Sequence, residues 1–498
     1  MRARAGHPAG RRRSALVAGL VAVVLAASVA CTADEPDPAP PPGPDPSTSA
    51  PAPSGGPPLV VPEGANPFGA HWDWSRYDQF TPYLRKISGS ATYHELTWCA
   101  MEKTRGQVDW AAVDRVAQRS RDLGIVLNLK IRTGVCWATG GTAQHTRGQA
   151  NKTESAMPLD MATYQAFVRS VVERYAPYGV TQFAVENEVN APQYWSGTPE
   201  DYATLVRAAA EAIHAADPRA KVVDSGISSV AYGFGVVDRL ARAGDTDAAV
   251  RAYGAYFARR IGTRGQKIPE VRDAASLDRA LTNEANARNV AFLAVTERLI
   301  DEGVVQVRQV HYYEHPDGVP ALLDYLRAEN PAGVPMEAWE VGQFWRDGDG
   351  DAASRAGEMT KVVTALLAGG IRQVMWLPLA YNPNNRAGSE VRYGLLDPDG
   401  TEREAGRIME VLVAASRGAT VTAVSRDQVT GVAFERAGAT TLVLWTAAGS
   451  SASLPATPGL RAGPAGANAT DATDTSISDN PIIVQGDRTA EQILATLR

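Results

Sequence analysis

The sequence predicts an α/β fold, a (β/α)8 barrel of the TIM type followed by a small antiparallel β domain. Three observations predict it. Short β-rich apolar runs alternate with amphipathic stretches through the middle of the chain, which is the pattern of parallel βαβ units. Eight such runs can be counted, enough to close a barrel. Beyond residue 416 the pattern changes to short alternating segments separated by Gly, Ala, Thr and Pro, as antiparallel strands require. The length of 498 residues suits one barrel plus one small domain, and a composition 44% hydrophobic and 21% charged is ordinary for a globular protein.

Residues 1–30 carry five arginines and no acid, with a basic stretch ending at Arg13 and an apolar run over 15–30. This is the layout of an export signal, and the run is short for a membrane span. It ends Ser28-Val29-Ala30-Cys31, which resembles a bacterial lipobox although Ser28 stands where that motif usually has Leu. The resemblance implies lipidation of Cys31 and an anchor on the outer face of the membrane. Cleavage after Ala30, giving a secreted chain, and an uncleaved anchor are the alternatives. Residues 31–58 form a Pro-rich spacer, which has eleven prolines between Thr32 and Pro58 and cannot bury a core. Removing the first thirty residues takes the formal charge from −6 to −11, which argues against a nucleic-acid partner.

The barrel is expected over 59–416. Its strands are 66–72, 90–96, 125–131, 181–187, 221–227, 305–311, 334–339 and 373–377. Helical patterns lie between them at 110–123, 161–175, 199–215, 289–302 and 352–367, with a last helix at 402–416. The connection over 228–303 is longer than a loop and one helix need, and reads as an insertion over the barrel mouth. The β domain is expected over 417–498, with strands at 421–424, 429–435, 440–446 and 482–484. With Cys31 assigned to the lipid, Cys99 and Cys136 remain as a pair following adjacent strands. Outside the cytoplasm they suggest a disulfide, with two buried thiols as the alternative.

The fourth candidate strand ends Glu186-Asn187-Glu188-Val189-Asn190, and the seventh ends Glu337-Ala338-Trp339-Glu340. Ionisable groups at strand ends are costly unless water or ligand meets them. Two facing carboxylates suit cleavage of a glycosidic bond, because one must be protonated to release the leaving oxygen while the other is ionised at the anomeric centre. Glu186 shares the strand parity of Glu188 and is read as a structural hydrogen-bonding residue. His71, Trp72, Asp73, Trp74, Trp137 and Trp345 follow other strands, and aromatic faces there suit sugar rings.

An Asn-Glu pair closing strand four and a Glu closing strand seven resemble clan A of the glycoside hydrolases. The resemblance implies that Glu188 is the acid/base, that Asn187 binds the sugar 2-hydroxyl and that Glu340 is the nucleophile of a retaining mechanism. His311-Tyr312-Tyr313 resembles the clan's His-x-Tyr, implying that Tyr313 steadies the nucleophile and His311 lines the sugar site. Trp376 resembles the tryptophan platform beneath the sugar. The segment WCAMEKTRGQVDW from Trp98 to Trp110 resembles the clan's strand-two scaffold. Family 39 and neighbouring clan A families with a trailing β domain are closest in flavour, and the clan's mid-barrel arginine is not obvious. A carbohydrate substrate is implied.

No His-Glu-x-x-His string, cysteine quartet, phosphate-binding Gly-rich loop or Gly-x-Ser-x-Gly elbow is present, so no metal or cofactor is expected. The acidic run Asp347 to Asp351 lacks a full calcium-ligand pattern and reads as a polar loop. A non-catalytic glycan-binding protein on the same barrel, or an adhesive one acting through the β domain, remains as an alternative.

Overall fold

The computed structural model describes residues 56–141, 154–262, 268–345, 351–384, 392–466 and 469–498. The export-signal and Cys31 expectations, most of the spacer and all of the acidic run except Asp351 lie outside the described residues.

The first strand, β1 (Leu59–Val60), precedes the barrel. The barrel staves are β2 (Phe68–Ala70), β3 (Ala91–Thr97), β4 (Val126–Arg132), β5 (Gln182–Val185), β6 (Lys221–Val223), β7 (Arg308–Tyr312), β8 (Met336–Val341) and β9 (Ile371–Trp376). All eight expected runs form strands. They pair in parallel in the order β6-β5-β4-β3-β2-β9-β8-β7. Parallel bridges Val223 to Val307 and Ile227 to Val310 join the two outer staves and close the cylinder. Its interior is plugged by Ala91, Tyr93, Ala184, Val223, Val307, Trp339 and Met375, so the barrel is a packed core whose open end can carry chemistry.

Helices cover the outside because their apolar stripes need a partner. Met161–Tyr175 buries Tyr164, Phe167, Val168, Val171, Val172 and Tyr175 at helical spacing, and Asp160 caps its N-terminus by accepting from the Ala162 N–H. Pro199–Ala216 begins with a capping box formed by Thr198 and Asp201. The long connection after β6 folds into helices at Ser229–Arg242, Thr246–Tyr256, Ala274–Thr282 and Glu284–Asp301. Cys99 and Cys136 are disulfide-bonded, with Cα atoms 5.5 Å apart, and tie the segment after β3 to the segment after β4.

The C-terminal strands are β10 (Thr420–Arg426), β11 (Val429–Arg436), β12 (Ala439–Thr446), β13 (Ala452–Leu454), β14 (Arg461–Pro464), β15 (Thr470–Asp471), β16 (Thr475–Ile477) and β17 (Ile482–Gly486). They form an antiparallel sheet in the order β1-β10-β11-β12-β17-β14-β15, with β13 and β16 paired beside it. Leu59–Val60, which the sequence reading places with the barrel, therefore pairs with Val421 and Thr420 of this sheet. The helix Ala352–Ala368 lies between sheet and barrel and is buried over most of its surface. At Gly357 a Cβ would stand 2.0 Å from Asn480 Oδ1 and 2.8 Å from Pro481, so only glycine permits this approach.

Candidate active site

The functional side chains come from five staves, because alternate residues of each strand face the interior. In β3 these include Tyr93 and Glu95. In β4 they are Asn128, Lys130 and Arg132, three polar residues at period two in an otherwise apolar strand. Parallel register sets Glu95 beside Lys130 and Thr97 beside Arg132.

Glu340, at the end of β8, is nearly buried and has both oxygens occupied. Its Oε1 accepts from the Tyr93 hydroxyl at 2.9 Å and from Lys130 Nζ at 2.7 Å. Its Oε2 accepts from the Tyr313 hydroxyl at 2.8 Å, and His311 Nδ1 lies 3.4 Å from the same atom. Burial alone would raise the pKa of this carboxyl. The charge of His311, protonated in the acid range where this carboxyl titrates, and that of Lys130, with hydrogen bonds from Lys130 and Tyr313, outweigh it and hold Glu340 well below the usual carboxylate range. Burial beside this carboxylate pushes the Tyr93 hydroxyl well above its ordinary value, so it stays a neutral donor.

Lys130 has a fully buried side chain and a second short bond, 2.7 Å to Asn187 Oδ1. Its ammonium also sits 4.2 Å from the centre of the Tyr93 ring. The buried cation beside Glu340 is thus a lysine from the third stave.

Glu188 follows β5 on a bent backbone. Glu186 and Glu188 have φ of 68° and 41°, the left-handed region that non-glycine residues rarely adopt. Glu188 is partly open, with 16% of its side chain exposed against 8% for Glu340. Its Oε1 lies 3.0 Å from His311 Nδ1. Single ligating atoms of Glu188, His311 and Glu340 all lie within 4.8 Å of one another. A metal ion could in principle be held by such a trio. Here Lys130 already supplies the positive charge, and the Glu340 oxygens already accept from Lys130, Tyr93 and Tyr313, so the donor set fits a metal poorly.

Glu186 points elsewhere. It is buried, accepts from the Thr133 N–H at 2.7 Å and lies 3.8 Å from Arg132 Nε, and burial raises its pKa despite that arginine. His71 stacks on Tyr93 with ring centres 4.2 Å apart and bonds the Tyr93 carbonyl at 3.0 Å; burial lowers its pKa. It therefore backs the tyrosine that touches Glu340. Trp376 is only 1% exposed, and its indole N–H donates to the Tyr393 carbonyl at 3.0 Å. Trp137 donates to the Glu102 carbonyl at 2.7 Å and meets the edge of Trp98. Its partners are the Trp98 to Trp110 segment, not the carboxylates. Within that segment Glu102 accepts from the Trp98 indole and the Gly106 N–H, both at 2.6 Å, as a scaffold would.

The inserted helices grip the chain after Glu188. Arg288 donates to the carbonyls of Val189, Asn190, Trp195 and Gly197, and Asn190 Nδ2 donates to Ser228 Oγ and Asn289 Oδ1, both at 2.7 Å. Sequence reasoning missed Tyr93, Lys130, Gln309 and Arg288. The alternation of polar residues within β3 and β4 is the signal that could have found the first two. A cavity of about 300 Å³ lies away from these residues, between His315, Glu358 and Lys361 on the barrel side and Asp427, Trp445 and Asp479 on the sheet.

No protein-family model matches the sequence, and a search of curated proteins finds no match. Solved structures do match. A family 39 glycoside hydrolase from the gut symbiont Bacteroides cellulosilyticus WH2 superposes with a TM-score of 0.58 at 14% identity, over 86% of this chain and 82% of that one. A monomeric β-xylosidase from Caulobacter crescentus CB15 gives 0.55 at 13% identity, over 88% and 98%. The family 39 enzyme from Xanthomonas axonopodis pv. citri gives 0.53 at 11% identity, over 87% and 96%. At these identities the likeness is one of fold, and the chain has the barrel and trailing β domain found in family 39 glycoside hydrolases.

Proposed function

We propose that the chain is a retaining glycoside hydrolase acting outside the cytoplasm on an oligo- or polysaccharide, with Glu340 as nucleophile and Glu188 as acid/base. The observation that carries this reading is the approach of the two carboxylates, with an oxygen of each inside a 4.8 Å circle. Separations of roughly 5–5.5 Å between carboxyl groups accompany direct attack and retention, whereas roughly 6.5–9.5 Å leaves room for an inverting water.

Their environments split the two roles. Glu340 is held ionised by Lys130 and two tyrosine hydroxyls, so it can attack the anomeric carbon. The more open Glu188 protonates the leaving oxygen as the glycosidic bond breaks, then takes a proton from the water that releases the sugar from Glu340. Asn187, whose side-chain oxygen accepts from Lys130, binds a sugar hydroxyl. Because two Caulobacter structures that this chain resembles are named β-xylosidases, an aryl β-xyloside heads the substrate panel.

The test is turnover of aryl glycosides, with the anomeric form of the first product read by proton NMR. Retention is expected. Glu340→Ala should abolish turnover, and Glu188→Ala should slow it by ~10²–10⁴-fold. Unchanged turnover in both variants, or an inverted product, ends the proposal.

A further inference from the structure

We propose that Gln309 is a positioning residue: it keeps a proton on Nε2 of His311, so that Nδ1 faces Glu188 as its proton partner. The inference rests on the glycosidase reading for its kinetic consequence and on geometry alone for the tautomer.

Gln309, two residues before His311 on β7, is buried. Its amide orientation follows from its partners. The side-chain Nε2 lies 2.8 Å from the Asp224 carbonyl oxygen, which can only accept. The amide nitrogen must therefore point there, since the flipped amide would set two oxygens against each other at that distance. Gln309 Oε1 then faces His311 Nε2 at 3.0 Å. An amide oxygen can only accept, so this ring nitrogen carries a hydrogen.

The surroundings hold the pair in this arrangement. The Gln309 N–H donates to Asp224 Oδ2 and the Gly226 N–H to Asp224 Oδ1, each at 2.7 Å. Gly226 has φ of 67°, and a Cβ there would stand 2.1 Å from His311 Nε2 and 2.7 Å from Gln309 Oε1. The slot around the Gln309–His311 bond therefore admits no side chain at 226. Lys130 Nζ also approaches Nε2, at 3.4 Å, but its short bonds go to Asn187 and Glu340. A lone pair on Nε2 would satisfy that longer contact only by facing the Gln309 oxygen.

With Nε2 committed, Nδ1 lies 3.0 Å from Glu188 Oε1 and 3.4 Å from Glu340 Oε2. The charged groups facing the imidazole are Glu188, Glu340, Lys130 and, behind Gln309, Asp224. When Glu188 is protonated, its O–H donates to the Nδ1 lone pair. When the proton crosses, the O–H bond breaks as an N–H bond forms, leaving a carboxylate beside an imidazolium with no change in total charge. The opposite tautomer would put an N–H on Nδ1 in the neutral ring, where it would stabilise ionised Glu188 and impair it as an acid.

Long-range ¹⁵N–¹H correlation of histidine-labelled protein at neutral pH, with His311 assigned by His311→Asn, reads the tautomer directly. The proton is expected on Nε2. Gln309→Met, which has no accepting oxygen, should remove that preference. On an aryl glycoside, Gln309→Met should lower kcat by roughly 10–100-fold with little change in KM, and should move the alkaline limb of kcat/KM. A wild-type proton on Nδ1, or a Gln309→Met variant with unaltered nitrogen shifts and pH profile, overturns the proposal. A wild type without any glycosidase activity would sink the functional reading instead, and the nitrogen shifts would still decide the tautomer.

Discussion

Lys130 gives Glu340 both a neighbouring charge and a short hydrogen bond. A buried carboxylate is stable only when paired, and removal of its cation leaves an uncompensated charge. Lys130→Met is therefore expected to destabilise the fold by about 3–5 kcal/mol in denaturant unfolding. It should also raise the pKa of Glu340 and carry the acid limb of kcat/KM to higher pH. The sign for stability follows from the same shift: a depressed carboxyl contributes stability above its ordinary value of 4.5 and loses it as pH falls through the folded value. In wild type that loss is confined to strong acid, and in the variant it should begin at higher pH. Lys130 was legible only as alternation. Asn128, Lys130 and Arg132 mark the interior face of β4, but the Lys130 partners Glu340 and Asn187 lie 210 and 57 residues away, a distance no local pattern bridges. Glu340 was readable because it ends a strand whose place in the barrel fixes the direction it faces, whereas Glu188 lies beyond β5 on a bent backbone and was read from the Asn-Glu pair.

At the scale of elements, the insertion after β6 acts as a clamp on the segment that carries Glu188. Arg288 spends its guanidinium on four main-chain carbonyls within residues 189–197, a stretch outside any strand. Arg288→Ala should leave the circular dichroism spectrum intact while lowering kcat by roughly 10–100-fold, because a displaced acid loses its alignment with the leaving oxygen. A kcat within about twofold of wild type would show that the grip is dispensable. The staves and their covering helices were readable from periodicity, since each strand and stripe is a local pattern. The helices of the insertion were seen only in part, and β13 to β16 not at all, because strands of two to four residues carry too little alternation to register. β1 was absorbed into the barrel for the same reason: two residues have no period.

For the whole molecule, sequence suggested a barrel followed by a small β domain, and the structure joins the two through a shared helix. Ala352–Ala368 buries Ala356, Met359, Val362, Val363, Leu366 and Leu367 among others, and its Gly357 face closes on Asn480 and Pro481. Truncation before residue 417 would bare that face together with β1. The expected outcome is a chain that is insoluble or aggregated by size-exclusion chromatography, whereas a monodisperse, active barrel would show that the two parts are independent. The pairing of Leu59–Val60 with Thr420–Val421 has a consequence for biogenesis. A ribosome delivers residues 59 and 60 long before their hydrogen-bonding partners exist, so the nascent barrel must wait with that strand unmatched until the chain beyond residue 420 has emerged.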